Sequence, residues 1–218
     1  MGNDFRQIGV KMLITTDKLK KYQSNIKGVY HIGAHEMEEN NIYFELGVNT
    51  VLWFEANPKI YEKVKPNLSY ISTQNIYNEL LSDVDGQEVE FYITNNGQSS
   101  SMLKLKEHKK YYPNIVVSEV IPLKTKKMST FIKEEAIDTS KYNFINVDVQ
   151  GAELKVIKGF EQYLDTIDFV YAEVNNEELS EGCPMMSEID DFLKTHNFNR
   201  VETLMTAANW GDALYVRT

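Results

Sequence analysis

From Gly28 to the C-terminus, short apolar runs alternate with segments whose apolar residues recur at helical spacing. That alternation is the signature of β-α-β units and a largely parallel sheet. The runs predict strands at Val29–Ile32, Thr50–Glu55, Ile76–Leu80, Tyr142–Val147, Asp168–Glu173, Arg200–Leu204 and Ala213–Arg217. Helices are predicted at Glu36–Leu46, Lys59–Leu68, Ala152–Leu164 and Ser187–His196. Gly47 follows the first helix where a C-cap glycine is favoured, and Pro58 stands where a first helical turn tolerates a missing N–H.

Two stretches depart from the alternation. Residues 4–24 carry Phe5, Ile8, Met12, Leu19 and Tyr22 at loosely helical spacing among charges, which predicts amphipathic helices ahead of the main fold. This divides the chain into a helical extension, 1–27, and one domain, 28–218. Residues 83–127 open on a hairpin-type turn at Asp85-Gly86, followed by period-two patterning over Glu88–Thr94. They read as an antiparallel excursion with loops, the natural place for a lid over a site.

Composition narrows the function classes. A chain of 218 residues with 42% hydrophobic and 25% charged content can bury a full core without metal or disulfide staples. The net charge of −9 opposes the phosphate neutralisation on which nucleic-acid affinity rests. The basic run Lys104–Lys110 reads as a solvated face rather than an anion site. The single cysteine, Cys183, leaves no intramolecular disulfide, and no apolar stretch has the length of a membrane span. With no signal-peptide pattern at the N-terminus, the simplest expectation is a cytoplasmic protein.

The sharpest local feature is Val29-Tyr30-His31-Ile32-Gly33-Ala34-His35-Glu36-Met37-Glu38, a strand entering a small-residue turn and then a helix. Gly33 and Ala34 allow a ligand close to backbone. A dinucleotide fingerprint would place a third glycine near position 38, with a pyrophosphate on the helix N-terminus. Glu38 would repel that pyrophosphate, whereas acids suit the ammonium, sulfonium and ribose diol of S-adenosylmethionine. The second strand ends in Glu55, roughly 20 residues beyond the glycine, where nucleotide-binding sheets place their ribose-binding carboxylate.

The chain resembles the FkbM family of methyltransferases. The resemblance is carried by His31-Ile32-Gly33-Ala34-His35, Phe54-Glu55-Ala56-Asn57-Pro58 and Asn146-Val147-Asp148-Val149-Gln150-Gly151-Ala152-Glu153. Lys158-Gly159, Ala172-Glu173-Val174 and Trp210-Gly211-Asp212 follow in the family's order. It implies an α/β, Rossmann-like class I methyltransferase fold: a mostly parallel seven-stranded sheet flanked by helices, ending in an antiparallel hairpin. It also implies methyl transfer to a hydroxyl, often on a sugar of a glycan, glycolipid or nucleotide-sugar. The expected cofactor contacts are His31, Gly33, Ala34, Glu38, Glu55, Ala56, Asn57, Ser82 and Asp148. Three positions depart from the family pattern. His31 replaces an aspartate, Met37 a glycine and Gln150 a glutamate, and Glu38 is the candidate to take over the contact to the methionine amine.

Methyl transfer from a sulfonium requires the acceptor oxygen in line with the leaving sulfur, water excluded, and a base or metal to activate the alcohol. Asp148 and Glu173 end strands at the carboxyl edge of the sheet, where ligands bind, and are the expected catalytic pair. They act either as general base or, with Asn175, as oxygen ligands to Mg²⁺ or Mn²⁺. The structural alternative for Asp148 is an N-cap of the next helix; for Glu153, structural and functional roles weigh equally. His31 and His35 are separated by a turn, which argues against zinc; His35 is a candidate proton shuttle or a hydrogen-bonded structural residue. The loop Asn95–Ser101 is a candidate cover, and His108, Tyr111 and Tyr112 supply walls of the kind sugar acceptors use. An NAD-dependent oxidoreductase or epimerase and a non-catalytic cofactor-binding module remain the competing readings.

Overall fold

A computed structural model describes residues 12–218. A short helix α1 (Thr16–Lys20) and a 3-10 turn (Gln23–Asn25) precede the first strand. In chain order there follow β1 (Val29–Ile32), α2 (Asn40–Glu45), β2 (Val51–Phe54), α3 (Pro58–Val64), β3 (Gln74–Tyr77), β4 (Leu80–Ser82), β5 (Glu88–Thr94), α4 (His108–Tyr111), β6 (Val117–Lys127) and α5 (Met128–Glu134). The chain closes with β7 (Phe144–Val147), α6 (Glu153–Lys158), β8 (Phe169–Asn175), α7 (Met186–Thr195), β9 (Phe198–Met205) and β10 (Trp210–Arg217).

The main sheet has seven strands in the order β3-β2-β1-β7-β8-β10-β9. The first five run parallel, and β10 is antiparallel to both β8 and β9, so the sheet ends in the expected hairpin. Strands β1, β2, β7 and β8 are buried along their whole length, which is why they read as near-continuous apolar runs. Period-two alternation splits them between two core layers. Tyr30, Ile32, Leu52, Phe54, Ile145 and Val147 face one layer, and Val29, Val51, Trp53, Phe144, Phe169 and Tyr171 face the other. A second sheet, β4-β6-β5, takes its antiparallel pair β5-β6 from the excursion read at 83–127 and adds β4, which precedes it. Its long strand β6 was not resolved as a strand by the sequence pattern, because Pro122 and the charges along it suit only an exposed ribbon.

Several boundaries differ for local reasons. The helix expected from Glu36 begins only at Asn40, because His35 (φ 43) and Met37 (φ 60) adopt left-handed backbone and prolong the turn. The strand expected at Ile76–Leu80 splits in two: Asn78 donates to the carbonyls of Glu55 (2.7 Å) and Ala56 (3.1 Å), which turns the chain out of the main sheet before β4. The helix expected over Ala152–Leu164 ends at Lys158, where the Gly159 carbonyl is taken by the Ser129 N–H of α5 at 2.9 Å.

Met12, Leu13, Ile14 and Leu19 are buried, so the stretch before β1 is packed on the sheet. The Leu13 N–H donates to Asp212 at 2.6 Å and the Ile14 N–H to the Tyr171 hydroxyl at 3.2 Å. The earlier part of the expected amphipathic segment, 4–11, lies outside the described residues. No helix among the described residues is long and apolar enough to cross a membrane.

Candidate functional site

A cleft opens at the carboxyl ends of β1, β2 and β7, where open α/β sheets bind ligands. Gly33, His35, Glu55, Ala56 and Asp148 line it, with Gly97, Gln98 and Ser100 of the predicted cover loop on the opposite wall. The turn after β1 hangs on β2: the N–H groups of Gly33 and Ala34 both donate to the Phe54 carbonyl, at 3.0 and 2.9 Å. Gly33 has φ +91, and a Cβ there would overlap the Asp148 carbonyl oxygen, so this position needs glycine for conformation and for space.

Glu55 is buried, and its two oxygens accept the backbone N–H groups of His35 and Asn57, each at 2.7 Å. Those donors hold the carboxylate at the cleft wall. His35 donates through Nδ1 to the Glu38 carboxylate at 2.7 Å, and Glu38 also accepts from the Glu36 N–H at 3.0 Å and the Gln98 amide at 3.3 Å. Glu38 therefore ties the turn to the cover loop.

His31, Asn57 and Ser82, also expected at the cofactor, have the following surroundings in the described structure. His31 belongs to the core layer on the far side of β1 from Ile32; its Nδ1 is 2.7 Å from the Tyr43 hydroxyl and its Nε2 3.7 Å from the buried Glu39 carboxylate. Asn57 caps α3 by accepting the Lys59 N–H at 3.0 Å. Ser82 is buried in β4 and bonds Asp83 at 3.1 Å, outside the lining of the cleft. The alternation of sides along β1 was the available signal for His31.

At the tip of β7 the chain bends through Gln150 (φ 60) and Gly151 (φ 106) into α6. Asp148 does not cap α6: the N-cap residue is Ala152. The bend is held instead by Glu153, 0% exposed, whose carboxylate accepts the N–H groups of Val149 (3.0 Å) and Gly151 (2.9 and 3.1 Å). Burial, with the nearby Asp148 charge adding to it, raises the Glu153 carboxyl well above the usual carboxylate range against those backbone donors. The bend aims Gln150 at Asp148 and Glu173. Its Nε2 donates to Asp148 Oδ1 at 2.6 Å and to Glu173 Oε2 at 2.9 Å, one N–H for each carboxylate.

Asp148, Glu153 and Glu173 bring carboxylate oxygens within 4.8 Å of one another. Asn175, the third member of the expected metal set, lines a second, smaller cavity together with Glu173. Glu173, Asn175, Gln150, His108, Cys183 and Trp210 line that cavity. Of the aromatic wall anticipated from sequence, His108 is part of the lining, Tyr112 accepts the Trp210 indole N–H at 2.8 Å, and Tyr111 bonds Glu177. The bridge made by Gln150 and the contributions of Asn175 and Trp210 to one cavity join distant strands and had no local sequence signal.

Comparison with known proteins gives this geometry a context. The profile of the methyltransferase FkbM domain matches residues 31–200. The 2-O-methyltransferase NoeI of Sinorhizobium fredii (strain NBRC 101917 / NGR234) is 24% identical over 173 residues, spanning 76% of this chain and 70% of NoeI. Among solved structures, TrmK of M. capricolum, in complex with S-adenosyl-homocysteine, is similar with a TM-score of 0.52 at 7% identity, covering 95% of this chain and 69% of that one. An uncharacterized protein of Listeria monocytogenes serotype 4b matches with the same TM-score of 0.52, 7% identity and coverage of 95% and 69%. At such identity the two structures show the shared fold, a Rossmann-like methyltransferase sheet.

Proposed function

The chain belongs to the FkbM methyltransferase family, and on that premise we propose that it is an O-methyltransferase transferring a methyl group from S-adenosylmethionine to a sugar hydroxyl of a glycan, glycolipid or nucleotide-sugar. The observation that carries this reading is the adjacency of two carboxylate-walled spaces, the cleft with Glu55 and Asp148 and the cavity with Glu173, joined by the Gln150 amide. Nothing in the turn after β1 suits the pyrophosphate of a dinucleotide, since Glu38 occupies the place of the third glycine and is hydrogen-bonded there.

The residues of the cleft fit the cofactor. Glu55, fixed by two backbone donors, would hold the ribose diol; Gly33 leaves backbone open to close approach; Ala56 would border the adenine; and the acid Asp148, with Glu38 behind the His35 ring, would favour its cationic methionine end. S-adenosylmethionine, when bound, supplies an electrophilic methyl group on a positively charged sulfur, and its transfer to an alcohol releases the hydroxyl proton.

That proton needs an acceptor beside the cavity. Glu173, bonded by Gln150, would take it as general base, and Asp148, bonded by the same amide, would keep its carboxylate on the cofactor side. His35, its ring bound to Glu38 at the cleft wall, is the candidate for relaying a proton to solvent. Positioning and exclusion of water fall to the cover loop through Gly97, Gln98 and Ser100.

A divalent ion on Asp148 and Glu173 is the second reading, favoured by the convergence of three carboxylates. The Gln150 amide stands against it: a donor nitrogen lies between the two oxygens a cation would bridge, and Glu153 is engaged by backbone N–H groups. Binding of S-adenosylmethionine by calorimetry, followed by labelled-methyl transfer to sugar acceptors, tests the main reading; absence of binding would end it.

A further inference from the structure

The cavity beyond Gln150 has features that methyl-donor binding does not call for. Its walls come from separate parts of the chain: β8, the start of β10, the His108 helix α4, and the segment Leu179–Cys183. Gly151 closes its floor, where a Cβ would stand 2.8 Å from Cys183 Cβ and 3.3 Å from Ser180 Cβ. The outer wall is pinned by Glu177, which bonds the Tyr111 hydroxyl and accepts from the Asn209 amide at 2.9 Å.

Within this enclosure Asn175 is 2% exposed, and its Oδ1 has no hydrogen-bond partner. A buried carbonyl oxygen without a donor costs free energy, so the position is explained most simply by a donor that arrives with a ligand. Glu173 and Asn175 are two apart on β8 and therefore project to the same side of the strand. Both offer acceptor oxygens, and the matching ligand presents hydroxyl donors on neighbouring atoms of a ring. The enclosed space is small, which limits a ligand to one ring rather than a chain of them.

The geometry points to this cavity as the acceptor subsite, taking a single polyhydroxylated ring with one hydroxyl donating to Asn175 Oδ1 and the reacting hydroxyl facing Glu173. This assignment rests on the methyltransferase reading above and deepens it. Asn175 is a specificity-determining residue here, reading a hydroxyl next to the one that is modified.

The test uses the two tryptophans of the chain. Trp210 lines the cavity, while Trp53 is buried in the core layer behind β2. The full chain carrying 5-fluorotryptophan, saturated with S-adenosylhomocysteine, is titrated with methyl glycosides of hexoses and 6-deoxyhexoses and followed by fluorine NMR. The expected result is a saturable shift of the Trp210 signal with Trp53 unmoved, weakened tenfold or more in Asn175→Leu and kept in Asn175→Asp, which retains an acceptor oxygen. If S-adenosylhomocysteine binds but no glycoside moves Trp210, the subsite is overturned while the donor reading stands. A shift unchanged in Asn175→Leu overturns the role of Asn175, and failure to bind S-adenosylhomocysteine overturns both readings together. The wild-type titration decides the matter even where the leucine variant fails to fold.

Discussion

Gln150 Nε2 lies 2.6 Å from Asp148 Oδ1, and the same nitrogen reaches Glu173 Oε2 at 2.9 Å. A residue that departs from its family's glutamate thus becomes the link between the cleft and the cavity behind it. Gln150→Glu would place another carboxylate against two others. Loss of the bridge is expected to lower kcat by on the order of 10²-fold, the scale of a misplaced reacting group. The Kd for S-adenosylhomocysteine should change little, and a kcat loss with unchanged cofactor affinity separates positioning from cofactor binding.

Glu55 is the residue on which cofactor affinity should depend most. Hydrogen bonds to a charged group contribute roughly 1.5–3 kcal/mol, so Glu55→Gln is expected to weaken S-adenosylhomocysteine binding by about 10- to 150-fold. Calorimetry on the folded variant measures this directly. A variant that binds as tightly as the wild type would remove Glu55 from the site.

Glu153 predicts a pH dependence of stability. Burial raises its carboxyl from 4.5 to about 7, so between these values the folded chain holds a proton that the unfolded chain has released. The stabilisation is present below the unfolded value and is lost as pH rises through the folded one. Relative to Glu153→Gln, the wild type should lose on the order of 2–3 kcal/mol between pH 4 and pH 8. Denaturant melts of both proteins across that range check the sign; a wild type that gains relative stability with rising pH would contradict it.

Exhaustive chelation should leave turnover unchanged, because the Gln150 amide fills the interval between Asp148 and Glu173 that a bridging cation would need. Activity lost on chelation and restored by Mn²⁺ would show that Gln150 swings away and would favour the metal reading.

Much of this architecture was legible in the chain because its central strands are buried on both faces and read as unbroken apolar runs. Gly33, Glu55 and Asp148 were legible for a related reason: the ends of parallel strands place them at one edge of the sheet. What was not legible depends on contacts between distant segments. Gln150 meets Glu173 only because β7 and β8 are neighbours, and Asn78 breaks the third strand only because it reaches carbonyls at the end of β2. His31 was expected at the cofactor because it replaces an aspartate of the family pattern, whereas the side of the strand decides its surroundings, the Tyr43 hydroxyl and the Trp53 ring.

The most direct test of the central claim is mass spectrometry after incubation of the chain with S-adenosylmethionine carrying a deuterated methyl group and a panel of methyl glycosides, glycolipid head groups and nucleotide-sugars. The account predicts one labelled methyl per acceptor, on a ring hydroxyl, and loss of product in Glu173→Gln. Tight binding of the donor with no labelled sugar anywhere in the panel, or a methyl found on nitrogen or carbon, would contradict it.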